Sequence, residues 1–222
     1  MTTETTDWTA TVRPLDLDAL RPVFPADARA KNAGVALDDE RCHRRRGTHT
    51  ADDATRVSKA RDVLQRLPDE NESIHVILRG TFRNSDFIDA ILQLAAPAVA
   101  EELYLATLGL DRKTADGLLR LLDAGTVRRC TLLACVYFES HDTALWGWVV
   151  GELQRRGSRA LAARNHTKLQ LYALDDGRRY SMESSANLRS CNMAEQATLT
   201  HDAGLYDFHR TWIDSIFDKA SK

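Results

Sequence analysis

Asn165-His166-Thr167-Lys168, followed by Leu169-Gln170-Leu171-Tyr172, sets an imidazole two positions from an ammonium. Further along come Glu183-Ser184-Ser185-Ala186-Asn187-Leu188 and then Asn192-Met193-Ala194-Glu195-Gln196. On neighbouring strands these segments would gather an imidazole, an ammonium, a hydroxyl, a carboxamide and a carboxylate, the groups that hold and attack a phosphodiester. Side chains alternate along an extended chain, so a strand through this stretch points His166 and Lys168 to one face, while Leu169 and Leu171 turn to the core. One polar group can then act on phosphorus while the other neutralises its oxygens.

The elements that must position these groups are legible in the apolar spacing. Asp175-Asp176-Gly177 is a turn signal, and it joins the His166 strand to Arg179-Tyr180-Ser181-Met182-Glu183 as a hairpin. That hairpin delivers the loop from Ser184 to Asn187 to the His-x-Lys end of the sheet. Upstream, Val57 to Leu67 has helical spacing, Ile74 to Leu78 reads as a strand with His75 in its core, and a helix capped by Ser85 carries Phe87, Ile88, Ile91, Leu92 and Ala95. Leu103 to Leu108 is the next strand, and a helix capped by Asp111 ends near Gly125. Cys130 to Phe138 is apolar on both faces, as a central strand covered by helices on two sides must be. A helix opening at Ser140 or Asp142, a strand over Arg159 to Ala163, and a last helix burying Leu205, Phe208, Trp212, Ile213, Ile216 and Phe217 complete the pattern. His141, His201 and His209 read as caps or surface groups. The alternation predicts an α/β sandwich with a mainly parallel sheet flanked by helices.

His-x-Lys, then Ser-x-Asn, then Asn-x-x-Glu, in this order and at this spacing, resembles the HKD motif of the phospholipase D superfamily, in particular its short nuclease-like members. The resemblance covers roughly Val57 to Phe217 and implies a phospholipase D-like α/β sandwich. It also implies that His166 is the nucleophile of a phosphohistidine intermediate, that Lys168 and Asn187 bind the phosphate, that Ser185 donates a hydrogen bond, and that Glu195 orients an imidazole. Asn192, and Arg79 at the end of a strand, would line the substrate pocket, since open sheets put ligands there. The chain departs from the family pattern in three ways. Ala173 stands where the family has Asp, with Asp175 nearby, and Ser184 replaces the Gly of its Gly-Ser pair. Only one His-x-Lys exists in the chain, whereas the family's reaction uses two. A homodimer that brings both copies into one site supplies the second, and closed two-fold symmetry is the commonest oligomer. The implied mechanism needs no metal and no other cofactor. Nucleic acid is the substrate expected from the local charge; a phospholipid substrate, or binding of nucleic acid without cleavage, fits the same residues.

Length and composition agree with one ordinary domain plus a tail. The chain has 222 residues, 43% hydrophobic and 28% charged, with a formal charge of −2. From Gly151 to Ser190 the balance is basic, with Arg155, Arg156, Arg159, Arg164, Lys168, Arg178, Arg179 and Arg189 against Glu152, Asp175, Asp176 and Glu183. The four cysteines form no C-x-x-C pair or dense framework, which predicts a reduced, cytoplasmic setting without integral membrane association. Residues 1–54 lack periodicity and read as a flexible arm carrying the basic cluster Arg41-Cys42-His43-Arg44-Arg45-Arg46, with residues 55–222 as the folded domain.

Overall fold

Strands apolar on both faces, flanked by amphipathic helices, can bury themselves only as the middle layer of a three-layer stack. The computed structural model describes residues 49–78, 80, 82–189 and 194–221, and these fall within one compact unit, Gly47–Lys222. The Arg41 to Arg46 cluster, Arg79 and Asn192 lie outside the described residues. In order, the elements are α1 (His49–Leu64), β1 (Ser73–Leu78), α2 (Asp86–Ala95), β2 (Ala100–Ala106), α3 (Arg112–Asp123), β3 (Cys130–Cys135), α4 (Val136–His141), α5 (Thr143–Arg155), β4 (Arg159–Ala163), β5 (Leu169–Leu174), β6 (Arg179–Ser184), β7 (Glu195–His201) and α6 (Ala203–Ala220).

The strands form one seven-stranded sheet in the order β1-β7-β6-β5-β2-β3-β4. On one face Leu103, Leu105, Leu132, Tyr172 and Met182 pack with Phe87, Ile91, Leu118 and Leu153 of the helices. On the other, Tyr104, Leu133, Leu169 and Leu171 pack beneath Tyr206, Ile213 and Phe217 of α6. Asp111, Asp142 and Asp202 cap their helices by accepting from the N–H groups of Thr114, Leu145 and Leu205. Gly177 turns the β5–β6 hairpin at φ +94, a left-handed conformation that suits glycine.

The sheet is mixed rather than mainly parallel. β2, β3 and β4 are parallel to one another, but β5 runs antiparallel to β2, and β5, β6, β7 and β1 are joined by antiparallel pairings. Chain length explains the reversal. β4 ends at Ala163 and β5 starts at Leu169, leaving five residues between them, far short of the dozen or so that a parallel crossover takes.

Four local expectations also change. β3 stops at Cys135 and the chain turns helical at Val136, with the Cys135 sulfur accepting from the Tyr137 N–H. Ser85 makes no capping bond; the neighbouring Asp86 carboxylate accepts the Arg83 N–H at 2.7 Å instead. His75 is exposed on edge strand β1, where its Nδ1 lies 3.0 Å from the Thr198 hydroxyl. Phe208 is 66% exposed, because the buried stripe of α6 runs through Tyr206, His209, Ile213 and Phe217.

Leu103 is fully buried on β2, in the interior of the sheet. Leu103→Ala is expected to cost about 2–5 kcal/mol in urea unfolding; a loss well below that would show that the packing between sheet and helices is looser than the structure has it.

Candidate functional site

The five residues between β4 and β5 decide where His166 and Lys168 sit. β4 is the edge strand and β5 lies beyond β3 and β2, so the loop crosses the C-terminal ends of both, about 14 Å at three strand spacings. Asn165 anchors the crossing. It is buried, and its Nδ2 donates to the carbonyl oxygens of Thr107 and Leu133 at 3.3 and 3.2 Å, one just past β2 and one in β3. Its Oδ1 accepts from the Thr167 N–H at 3.0 Å and from the Thr167 hydroxyl at 2.6 Å.

His166 and Lys168 therefore lie in this loop, at the threshold of β5, and not within a strand as the alternation suggested. They still meet: Lys168 Nζ is 3.0 Å from His166 Nδ1 and donates to the His166 carbonyl at 2.7 Å. An ammonium has only donors, so Nδ1 accepts and the ring proton sits on Nε2. Partial burial lowers the Lys168 ammonium from its ordinary value, opposed by the Glu195 carboxylate and the Cys135 sulfur nearby.

A second loop reaches the same end of the sheet. Leu188 N–H donates to the Thr107 hydroxyl at 3.2 Å, so Thr107 ties both loops together. Asn187 Oδ1 accepts the Leu108 N–H at 3.1 Å, leaving the NH2 end as the donor for an anion. The Ser185 hydroxyl donates to Glu195 and accepts the Gln196 N–H at 3.0 Å. Ser184, at the family's Gly position, locks the same turn by donating to the Gln196 carbonyl and accepting the Ala186 N–H, both at 2.9 Å. Glu195 is thus joined to Ser185, and His166 Nδ1 faces Lys168. Leu78, the residue before Arg79, pairs with Glu195, which brings the end of β1 to this edge too.

Buried polar groups beneath the second loop hold it in place. The Tyr172 hydroxyl donates to Gln170 Oε1, and Gln170 Nε2 donates to the Asn84 carbonyl and Oδ1 at 2.9 and 3.1 Å. Asn84 Nδ2 then donates to the Ala186 carbonyl at 2.8 Å. Burial pushes the Tyr172 phenol well above its ordinary value, so it remains a donor.

The Asp of the resembled motif has no counterpart at position 173, and Asp175 does not take its place. Ala173 is buried against α6, and Asp175 lies at the far end of β5, accepting from the Val99 N–H and paired with Arg128. The basic stretch is also less cationic than its composition implied. Arg156 pairs with Asp123 and Glu152, Arg159 with Asp214, and Arg178 with Asp176. Arg164 and Arg189 are exposed.

An open groove of about 290 Å³ lies beside His166 and Lys168, lined also by Glu183 and Ser184 of β6 and by His209 and Trp212 of α6. His209, read from sequence as a cap or surface group, is buried there; only its place in the α6 stripe could have signalled it. Asn84, Thr107, Cys135 and Asn165 were missed because contacts across the sheet leave no mark in local spacing. Among the described residues no group of three or more His, Cys, Asp and Glu could hold a metal ion, and no helix is long and apolar enough to cross a membrane.

Fold and site together define an α/β protein with its candidate site at one end of a mixed open sheet. No protein-family model and no curated protein matches the chain. Among solved structures it is similar to a phospholipase D family member, Nuc from Salmonella typhimurium, at 9% identity over 66% of this chain and 95% of that one, with a TM-score of 0.48. It is similar to the polyphosphate kinase from Porphyromonas gingivalis at 13% identity over 64% of this chain, with a TM-score of 0.45. TrmBL2, an archaeal chromatin protein, is similar at 16% identity over 66% of this chain, with a TM-score of 0.43. The chain spans 25% of that kinase and 53% of TrmBL2.

Asn165→Ala is expected to lose roughly 1–3 kcal/mol of stability, by stranding the buried Thr107 carbonyl and leaving the Leu133 carbonyl with the Thr107 N–H alone, and to weaken phosphate binding by freeing the loop. Unfolding together with phosphate titration checks both, and unchanged phosphate affinity would contradict the anchoring role. Lys168 adds a pH test. Its folded value lies below the ordinary 10.5, so the unfolded chain binds more protons. The Lys168 contribution to stability therefore rises as pH climbs from the lowered folded value through 10.5, against the opposite contribution of the raised Tyr172 phenol. Lys168→Met should remove that alkaline rise, and the same slope in both proteins would refute the assignment.

Proposed function

We propose that the chain is a metal-independent phosphodiesterase, a nuclease, working through a phosphohistidine in a homodimer. The observation that carries this reading is the adjacency of His166 and Lys168 at 3.0 Å on an exposed lip shared with the Asn187 loop. The HKD-like order of His166, Lys168, Ser185, Asn187, Asn192 and Glu195 supports it.

A phosphate entering the site competes for Lys168. As the ammonium turns to the phosphate oxygens, Nδ1 is released, the ring proton can move to it, and Nε2 becomes the nucleophile. Asn187 and Lys168 hold the oxygens, where charge builds in the transition state. The P–N bond forms, the P–O bond to the leaving group breaks, and the departing alkoxide takes a proton from the protonated His166 of a second copy. Water then attacks phosphorus, the P–N bond breaks, and the water's proton passes to that second imidazole. Glu195, through Ser185, fixes the rim and balances the Lys168 charge.

The test measures cleavage of single- and double-stranded oligonucleotides with chelator present. Wild-type protein should cut, and His166→Ala should not. When wild-type protein is mixed and re-equilibrated with excess His166→Ala, activity should fall with the square of the wild-type fraction; a linear fall would overturn the shared site. Salt-sensitive binding without cleavage would replace the nuclease with a nucleic-acid-binding protein.

A further inference from the structure

We infer that Glu183, held by His209 and Trp212, forms a subsite that reads a sugar hydroxyl beside the bound phosphate, so that the preferred substrate is single-stranded RNA. This rests on the phosphodiesterase reading for the phosphate position, and extends it to residues which that reading leaves unused.

Glu183 pairs with Leu169 across β5 and β6, which places it next to Lys168 in the groove. Its side chain is 51% exposed, while His209, behind it, is buried. The Trp212 indole N–H donates to His209 Nδ1 at 3.2 Å, so the ring proton is on Nε2, where it meets Glu183 Oε1 at 3.2 Å. The ring is occupied at both nitrogens and offers nothing further to a ligand. Its consequence is a carboxylate fixed in place, with acceptor capacity still facing the groove.

A carboxylate beside a phosphate site repels the phosphate it must approach. The arrangement is favourable for a ligand that brings a hydrogen-bond donor to that point. In a polynucleotide the group next to the phosphodiester that can donate is the ribose 2′-hydroxyl, which also distinguishes RNA from DNA. Phe208 supplies a second element. It is 66% exposed, its ring centroid is 5.1 Å from that of His209, which lines the groove, and an exposed aromatic beside such a residue is a platform for an unpaired base.

The experiment measures affinity and cleavage for single-stranded RNA and DNA of identical sequence, on wild-type protein, Glu183→Ala and Phe208→Ala. Wild-type protein should prefer RNA. Glu183→Ala should weaken RNA binding about tenfold or more and leave DNA binding unchanged or tighter, since a repelling charge is gone. Phe208→Ala should weaken both about equally, by roughly tenfold. Equal affinities in wild-type protein, or an equal loss of RNA and DNA binding in Glu183→Ala, would overturn the subsite while leaving the nuclease reading intact. An RNA preference that depends on Glu183 but comes without cleavage would sustain the subsite and overturn the nuclease. Preference for a vesicle containing phosphatidylethanolamine, with neither nucleic acid bound, would overturn both and give Glu183 a cationic headgroup instead.

Discussion

Five residues must carry the chain from one edge of the sheet over the ends of two strands, and a single buried amide makes that crossing stable. The crossing leaves the carbonyl of Thr107, and the second lone pair of the Leu133 carbonyl that already accepts the Thr107 N–H, facing a dry interior where unpaired acceptors are costly. Asn165 answers both with the two hydrogens of one NH2 group. The same side chain turns its oxygen back to Thr167, so the loop is pinned before and after His166. The exposure of the imidazole and its closeness to Lys168 follow from that one anchorage.

The second loop is held by a different kind of force. The buried chain from Tyr172 through Gln170 and Asn84 to the Ala186 carbonyl has a partner at each link, and such fully satisfied networks define one arrangement rather than several. Above it the charges are mixed: Lys168 faces Glu195 and Cys135, Glu183 lies in the adjacent groove, and many arginines of the basic stretch are committed to carboxylates elsewhere. Selectivity at such a site comes from placement of individual donors and acceptors more than from a broad positive field.

Element positions were legible in sequence wherever one local rule governed them. Phe87, Ile91 and Ala95 at helical spacing, Asp111 as a cap, and Asp176-Gly177 as a turn each act within a few residues, and each is found as read. Strand direction depends on the length of the link after Ala163, a cue that is visible in sequence but was outweighed by the βαβ rhythm upstream. The approach of His166 and Lys168 survived even though the strand reading did not, because the loop folds them together by a different route. Asn84 had no local signature, since its partners Gln170 and Ala186 lie 86 and 102 residues away in the chain.

The first strand and the last are neighbours: Ser73 faces Thr200, Leu78 faces Glu195, and β7 separates β1 from the rest of the sheet. Pairing so distant in sequence has a large loop-closure cost and belongs to the late stages of folding. A chain emerging from the ribosome therefore carries His166 and Lys168 into solution well before Glu195 arrives to border them. The rim closes only when β7 slots in and the sheet is whole, which ties the birth of the pocket to the arrival of that strand.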